Sequence, residues 1–84
     1  MDISHWRKDI DELEDQIIAL LNKRASYAVE IGKIKHEHGI PVFDPTREQE
    51  ILDRVAAKTK GPLSSDSIRS IFKTIMEETR KVED

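Results

Sequence analysis

The side chains best suited to chemistry in this sequence are cations that fall on apolar helical stripes. Arg24 lies between Leu20 and Tyr27 in a series of apolar residues spaced by three and four positions. Lys35 follows eleven residues later, and the helical repeat returns it to within about 20° of the same face. A charge on an inward stripe costs several kcal/mol unless it is paired or meets a ligand. Both residues are therefore candidates for binding an anion.

Polar residues on the later segments point to the same kind of site. Asp44, Arg47 and Glu48 come just before the next apolar stripe, and Thr79 and Glu83 extend the last one at i, i+4 spacing. Together with the two cations above, they are too many for pairing among themselves in so small a core. We predict a polar pocket lined by cations, whose natural ligand is a small anion, in particular a dicarboxylate.

Taken alone, each of these residues also has an ordinary explanation. Arg24 would form an ion pair with Glu48 or Asp44, as single buried polar groups do when they set the register of packed helices. Glu48 would complement its helix dipole as a first-turn acid. Lys35 would be a helix-end lysine with its stem packed on the surface, and the Thr79 hydroxyl would bond to its own helix.

Arg7 is a further candidate because of its distance from the other cations. It precedes Arg24 by seventeen residues, which is roughly 25 Å along a helix. Within one chain it cannot reach the same pocket, although it could do so across an intertwined dimer. The alternative, which the residues alone favour, is a surface arginine near a helix start.

The remaining side chains argue against covalent and metal chemistry. The chain has no Cys, and His5, His36 and His38 lie near the chain start or a break, where solvated histidines are usual. A metal held by His36 and His38 lacks a further inward ligand, and the sequence has no Gly-rich phosphate loop. We expect no metal and no cofactor, and a site that works by binding, orientation and electrostatics.

Three helices must position these residues. Breaks at 37–45 and 60–65, both with Gly and Pro, separate three segments of helical periodicity without a strand pattern. We predict a first helix over 4–35, a second from Asp44-Pro45 to about Lys58, and a third that begins at Ser64 or Ser65.

The first helix is too long for the chain that carries it. It would measure roughly 48 Å, whereas a compact chain of this length has a radius of gyration of about 12 Å. Only 37% of the 84 residues are hydrophobic, so a second chain is needed to cover the apolar stripe. We predict an all-α fold in a single domain (1–84), with one long and two shorter helices per chain, in an intertwined homodimer helical bundle.

Composition and charge also limit the kinds of partner that the protein is expected to bind. The net charge is −3, and the 14 cations are dispersed among 17 acidic residues, which argues against binding to nucleic acid. No apolar run approaches the ~20 residues of a membrane helix, and Asp2 is unlike the basic start of a signal peptide. We expect a cytoplasmic protein without membrane contact.

The order of these motifs resembles that of the all-helical (AroQ-class) chorismate mutases. The resemblance covers nearly the whole chain and is carried by Arg7, Leu20–Arg24, Val29–Lys35 and Pro41–Glu48. It implies an intertwined three-helix homodimer with two active sites, each completed by an arginine from the other subunit. It also implies conversion of chorismate to prephenate, a Claisen rearrangement on the route to phenylalanine and tyrosine that uses no nucleophile and no cofactor.

The resemblance assigns roles by position on the carboxylate side of the substrate. Arg24, with Arg7 of the partner subunit, would clamp the substrate carboxylates, and Thr79 falls near one of them. Lys35 would donate to the ether oxygen. Glu83 falls opposite the same oxygen, where a glutamate helps only when protonated, because an anion would repel the developing charge.

On the ring side, the resemblance places Asp44, Arg47 and Glu48, with Glu48 accepting from the ring hydroxyl. Two alternatives stay open. One is an isochorismate pyruvate-lyase of the same fold. The other is a non-catalytic dimerisation or regulatory module of a shikimate-pathway enzyme, in which Arg24 and Lys35 form only ion pairs. Association with another shikimate-pathway enzyme is compatible with each of these functions.

Overall fold

A computed structural model describes residues 2–84, and these form three α-helices with no strand among them. The helices are α1 (Ile3–Glu37), α2 (Pro45–Lys58) and α3 (Ser65–Glu83). The all-helical prediction is confirmed, and each predicted boundary lies within two residues of the observed one. No helix in the described part of the chain is long and apolar enough to cross a membrane.

Local capping explains why the helices begin where they do. Each helix follows a residue whose side-chain oxygen accepts a hydrogen bond, 3.0 Å long, from a backbone N–H three positions later: Asp2 from His5, Asp44 from Arg47 and Ser64 from Ser67. Such caps satisfy N–H groups that have no partner within the helix. Pro45 takes the first position of α2, where its missing N–H costs nothing.

The core is small and lies mainly between α2 and α3. Ile51 and Val55 of α2 pack with Met76 of α3, and partly buried residues such as Phe72 surround them. Helix α3 also packs against the C-terminal half of α1, where Ala28 and Gly32 are buried. Helix α3 therefore packs against both α1 and α2.

The N-terminal half of α1 extends beyond this core. The molecule measures 55 × 24 × 15 Å, and its radius of gyration of 15.8 Å exceeds the ~12 Å of a compact chain of this length. The apolar stripe along α1 is at least half exposed at every position from Ile3 to Ile34: Ile3, Trp6, Ile10, Leu13, Ile17, Leu20, Tyr27, Ile31 and Ile34. The predicted overhang is confirmed.

Helices α1 and α3 approach most closely at Gly32. A Cβ atom built on Gly32 would lie 2.7 Å from the backbone oxygen of Glu83 and 3.0 Å from its Cα. Real Cβ atoms essentially never come this close to another heavy atom, so only glycine fits between the two backbones. The absence of a side chain at residue 32 allows the last turn of α3 to rest on α1.

We expect Gly32→Ala to lower the free energy of unfolding by about 1–2 kcal/mol, because overpacking outweighs the gain in helix propensity. Urea denaturation at a fixed protein concentration measures this change. The exposed neighbour Lys33 provides the control, since Lys33→Ala should change stability by less than about 0.5 kcal/mol. A rise in stability for Gly32→Ala would contradict the close approach.

Candidate active site

Two adjoining hollows, of about 80 and 250 Å³, lie where α1, the start of α2 and the end of α3 meet. All the predicted site residues except Arg7 line the smaller one: Arg24, Lys35, Asp44, Arg47, Glu48, Thr79 and Glu83. Tyr27 and Ile31 of the exposed stripe join Arg24 and Lys35 around the larger one. The cations and the apolar stripe thus face a common space, as the helical spacing predicted.

Arg24 is oriented by a threonine on the facing helix. Its Nη1 donates to Oγ1 of Thr79 at 2.9 Å, and that hydroxyl in turn donates to the backbone oxygen of Ile75 at 2.6 Å. Among the described residues, no carboxylate lies within 4.0 Å of the Arg24 guanidinium. The predicted alternative of an ion pair with Glu48 or Asp44 is therefore wrong for this chain, and most donors of Arg24 stay available to a ligand.

Lys35 is held in the site rather than frayed at a helix end. The chain reverses after α1 at Gly39, whose φ of +64° is a conformation that glycine adopts readily. This turn brings the backbone oxygen of Val42 to 3.0 Å from Lys35 Nζ. Nζ also lies 3.8 Å from Oε2 of Glu83, and the two side chains are only 18% and 12% exposed.

The last turn of α3 is fixed to α1 through its backbone. His36 Nε2 lies 3.0 Å from the backbone oxygen of Glu83, one turn beyond the close contact at Gly32. The sequence interpretation of His36 as a solvated histidine missed this contact, because it depends on the packing of α3.

In residues 2–84, no three His, Asp or Glu side chains lie close enough together to hold a metal ion.

Asp44 and Arg47 lie at the rim of the smaller hollow. The Asp44 carboxylate is used as the cap of α2, and Arg47 lies 3.5 Å from Glu50 with a side chain that is 56% exposed. Arg47 nevertheless lines both hollows, so it lies beside Arg24 and Lys35 although its guanidinium also approaches the Glu50 carboxylate.

Arg80 lines the same hollow and was missed from the sequence. Its Nε lies 3.5 Å from Oε2 of Glu48, and its guanidinium carbon lies 4.8 Å from the centre of the Phe43 ring. The available signal was the i, i+4 spacing from the core residues Phe72 and Met76, which places residue 80 on their face of the helix.

Arg7 stands apart from the other predicted site residues. It is exposed on the first turns of α1, roughly 25 Å along the helix from Arg24. The single chain therefore does not bring Arg7 to the hollow.

The charges around the smaller hollow favour an anionic ligand. Two of its carboxylates already have cationic neighbours, Glu83 with Lys35 and Glu48 with Arg80, whereas Arg24 has only a neutral hydroxyl. A guanidinium with open donors next to an ammonium suits a carboxylate, which it can bind in a bidentate manner. The geometry thus supports binding of a small carboxylate-bearing molecule.

Comparison with known proteins identifies the group to which this chain is similar. A chorismate mutase of Methanocaldococcus jannaschii is 35% identical over 82 residues, which cover 96% of this chain and 83% of that protein. The chain spans about a fifth of the length of other curated relatives, which include the T-protein of Haemophilus influenzae and bifunctional chorismate mutase/prephenate dehydratases.

Solved structures show the same similarity. Form II of a chorismate mutase from Thermus thermophilus superposes with a TM-score of 0.94 at 36% identity, covering 96% of this chain and 92% of that one. A chorismate mutase from Helicobacter pylori, solved in complex with prephenate, gives a TM-score of 0.88 at 31% identity, covering 96% and 88%.

The family model for chorismate mutase type II matches residues 6–84, which include all three helices apart from the first residues of α1. The chain therefore belongs to the type II chorismate mutase family.

Proposed function

We propose that this chain converts chorismate to prephenate in the biosynthesis of phenylalanine and tyrosine. The observation that carries the proposal is the hollow in which Arg24, oriented by Thr79, faces the same space as Lys35. Two further findings support it: the chain belongs to the type II family, and a structural neighbour was solved with prephenate bound.

The proposed reaction suits a site without a nucleophile. The rearrangement is unimolecular, so the protein has only to hold the substrate in its folded conformer and stabilise the transition state. Negative charge grows on the breaking ether oxygen, and preorganised donors aimed at that oxygen lower the barrier. Cations on packed helices can supply such donors.

Arg24 is proposed to bind a substrate carboxylate. Its guanidinium is fixed on one side by the Thr79 hydroxyl, so its remaining N–H groups form a rigid fork with the geometry of a carboxylate. To donate to the same carboxylate, the Thr79 hydroxyl would turn its hydrogen from the backbone oxygen of Ile75 to the ligand.

Lys35 is proposed to donate to the ether oxygen. An ammonium has three N–H groups, and the carbonyl of Val42 accepts from Lys35 Nζ at 3.0 Å, which leaves further donors for the ligand. Glu83, whose carboxylate lies 3.8 Å from Nζ, would act on the opposite side of that oxygen in its protonated form. On the ring side, we propose Asp44, Arg47 and Glu48, with Glu48 accepting from the ring hydroxyl.

We further propose that the protein acts as an intertwined homodimer. An apolar stripe that is at least half exposed along most of α1 is the kind of surface that a second helix covers. In an antiparallel arrangement of two long α1 helices, Arg7 of the partner subunit reaches the site that contains Arg24. Association with another shikimate-pathway enzyme stays a prediction from the sequence.

The first test is conversion of chorismate by the purified protein, with prephenate identified as the product. Arg24→Ala and Lys35→Ala should each lower kcat/KM by about 10²-fold or more, because each removes a donor that stabilises the transition state. Lys33→Ala, which removes an exposed cation of α1, is the matched control and should leave kcat/KM unchanged. Losses below about threefold for both site variants would favour the regulatory module, and turnover of isochorismate alone would favour the lyase.

The second test concerns the sharing of arginines between subunits. Arg7→Ala and Arg24→Ala should each be inactive, but a hybrid dimer of the two retains one site with both arginines. After subunit exchange, half of the dimers are hybrids, so we expect about a quarter of the wild-type activity. A mixture of Arg24→Ala with Lys35→Ala is the control and should stay inactive, because both side chains come from one chain. Hybrid dimers seen by mass spectrometry without recovered activity would exclude a shared site.

A further inference from the structure

We propose that Arg80 is a positioning residue, which Phe43 holds in place and which in turn fixes the carboxylate of Glu48. The inference rests on the proposed function, in which Glu48 accepts a hydrogen bond from the ring hydroxyl of the substrate. Nothing in the resemblance assigns a role to Arg80, and the sequence pattern at this position did not reveal one.

The first observation is a buried donor that faces one carboxylate. Arg80 Nε is buried and has no hydrogen-bond partner among the described residues, while Oε2 of Glu48 lies 3.5 Å away. A buried N–H without a partner is unfavourable. A shift of a few tenths of an ångström in the Glu48 side chain would complete a charge-assisted hydrogen bond. The Arg80 N–H therefore favours one position of the Glu48 carboxylate.

The second observation is the aromatic ring on the guanidinium. The Arg80 guanidinium carbon lies 4.8 Å from the centre of the Phe43 ring, within the ~6 Å over which a cation and a ring face attract. Phe43 directly precedes Asp44, the cap of α2, and Glu48 lies in the first turn of that helix. One side chain of α3 thus contacts both the segment before α2 and its first turn.

Lysine cannot replace arginine in this arrangement. A flat guanidinium can stack on the Phe43 ring while its Nε–H points sideways to Glu48, whereas an ammonium has neither a flat face nor an N–H at the corresponding position. The geometry therefore requires the shape of arginine as well as its charge. A purely electrostatic role would be restored by Arg80→Lys.

The kinetic test is a double-mutant cycle on the full chain with chorismate as substrate. Arg80→Met should lower kcat/KM by about tenfold or more in the wild-type background but by less than about threefold in Glu48→Gln, because its effect passes through that carboxylate. Arg80→Lys should give a similar loss, and Phe43→Leu should weaken the coupling between residues 80 and 48. Lys81→Met removes an exposed cation on the next residue and should leave kcat/KM unchanged.

Additive effects of Arg80→Met and Glu48→Gln would overturn the proposal and make Arg80 an independent ligand of the substrate. Full rescue by Arg80→Lys would overturn the shape requirement. If Arg80→Met proves unfolded by circular dichroism, Arg80→Lys replaces it in the same cycle.

A readout independent of turnover separates this proposal from the proposed function. In ¹⁵N NMR spectra of the ligand-free protein, the Arg80 Nε–H should exchange slowly with solvent, and Glu48→Gln should accelerate that exchange by about tenfold or more, because the charged acceptor is lost. An exchange rate that does not respond to Glu48→Gln would refute the pairing. Wild-type protein that leaves chorismate unchanged while Arg80 Nε–H behaves as expected would refute only the proposed function.

Discussion

The close contact between the last turn of α3 and α1 determines where the polar groups of the hollow lie. A glycine at residue 32 lets the backbone of Glu83 rest on α1, and His36 holds the same carbonyl one turn further on. With α3 in this position, Thr79 meets Arg24 and the Glu83 carboxylate meets Lys35. A wider separation would break both contacts, so a requirement of backbone packing sets the geometry of the charged groups.

The same packing explains how so small a chain partly shields Lys35 and Glu83 from water. The buried core consists of a few residues of α2 and α3 with Ala28 of α1, which is too little to enclose a pocket on every side. Polar contacts hold the site cations instead: Thr79 contacts Arg24, and Val42 and Glu83 contact Lys35. The exposed stripe on the remaining length of α1 is the surface on which our proposal of a homodimer depends.

The helices and most of the candidate site could be predicted from the sequence because local rules determine both. Asp44 followed by Pro45 has the side-chain acceptor and the fixed φ that begin a helix. The i, i+4 series from Ile75 places Thr79 and Glu83 near the core. Helical spacing likewise placed Arg24 and Lys35 on one face, and the structure brings them to a common hollow.

Contacts that depend on the relative positions of helices could not be predicted in this way. The carbonyl of Val42 reaches Lys35 only because the chain reverses at Gly39, and His36 has a partner only because α3 ends beside it. Arg80 was missed although its spacing from Met76 pointed inward, because its partners, Phe43 and Glu48, come from another part of the chain.

A crystal structure of the protein with prephenate bound tests the central claim most directly. The account predicts a dimer with prephenate in the hollow, with the Arg24 guanidinium and Lys35 Nζ within about 3.2 Å of ligand oxygens. It also predicts that Arg7 of the partner subunit contacts a ligand carboxylate. Prephenate bound elsewhere, or a ligand in the hollow that contacts neither Arg24 nor Lys35, would contradict it.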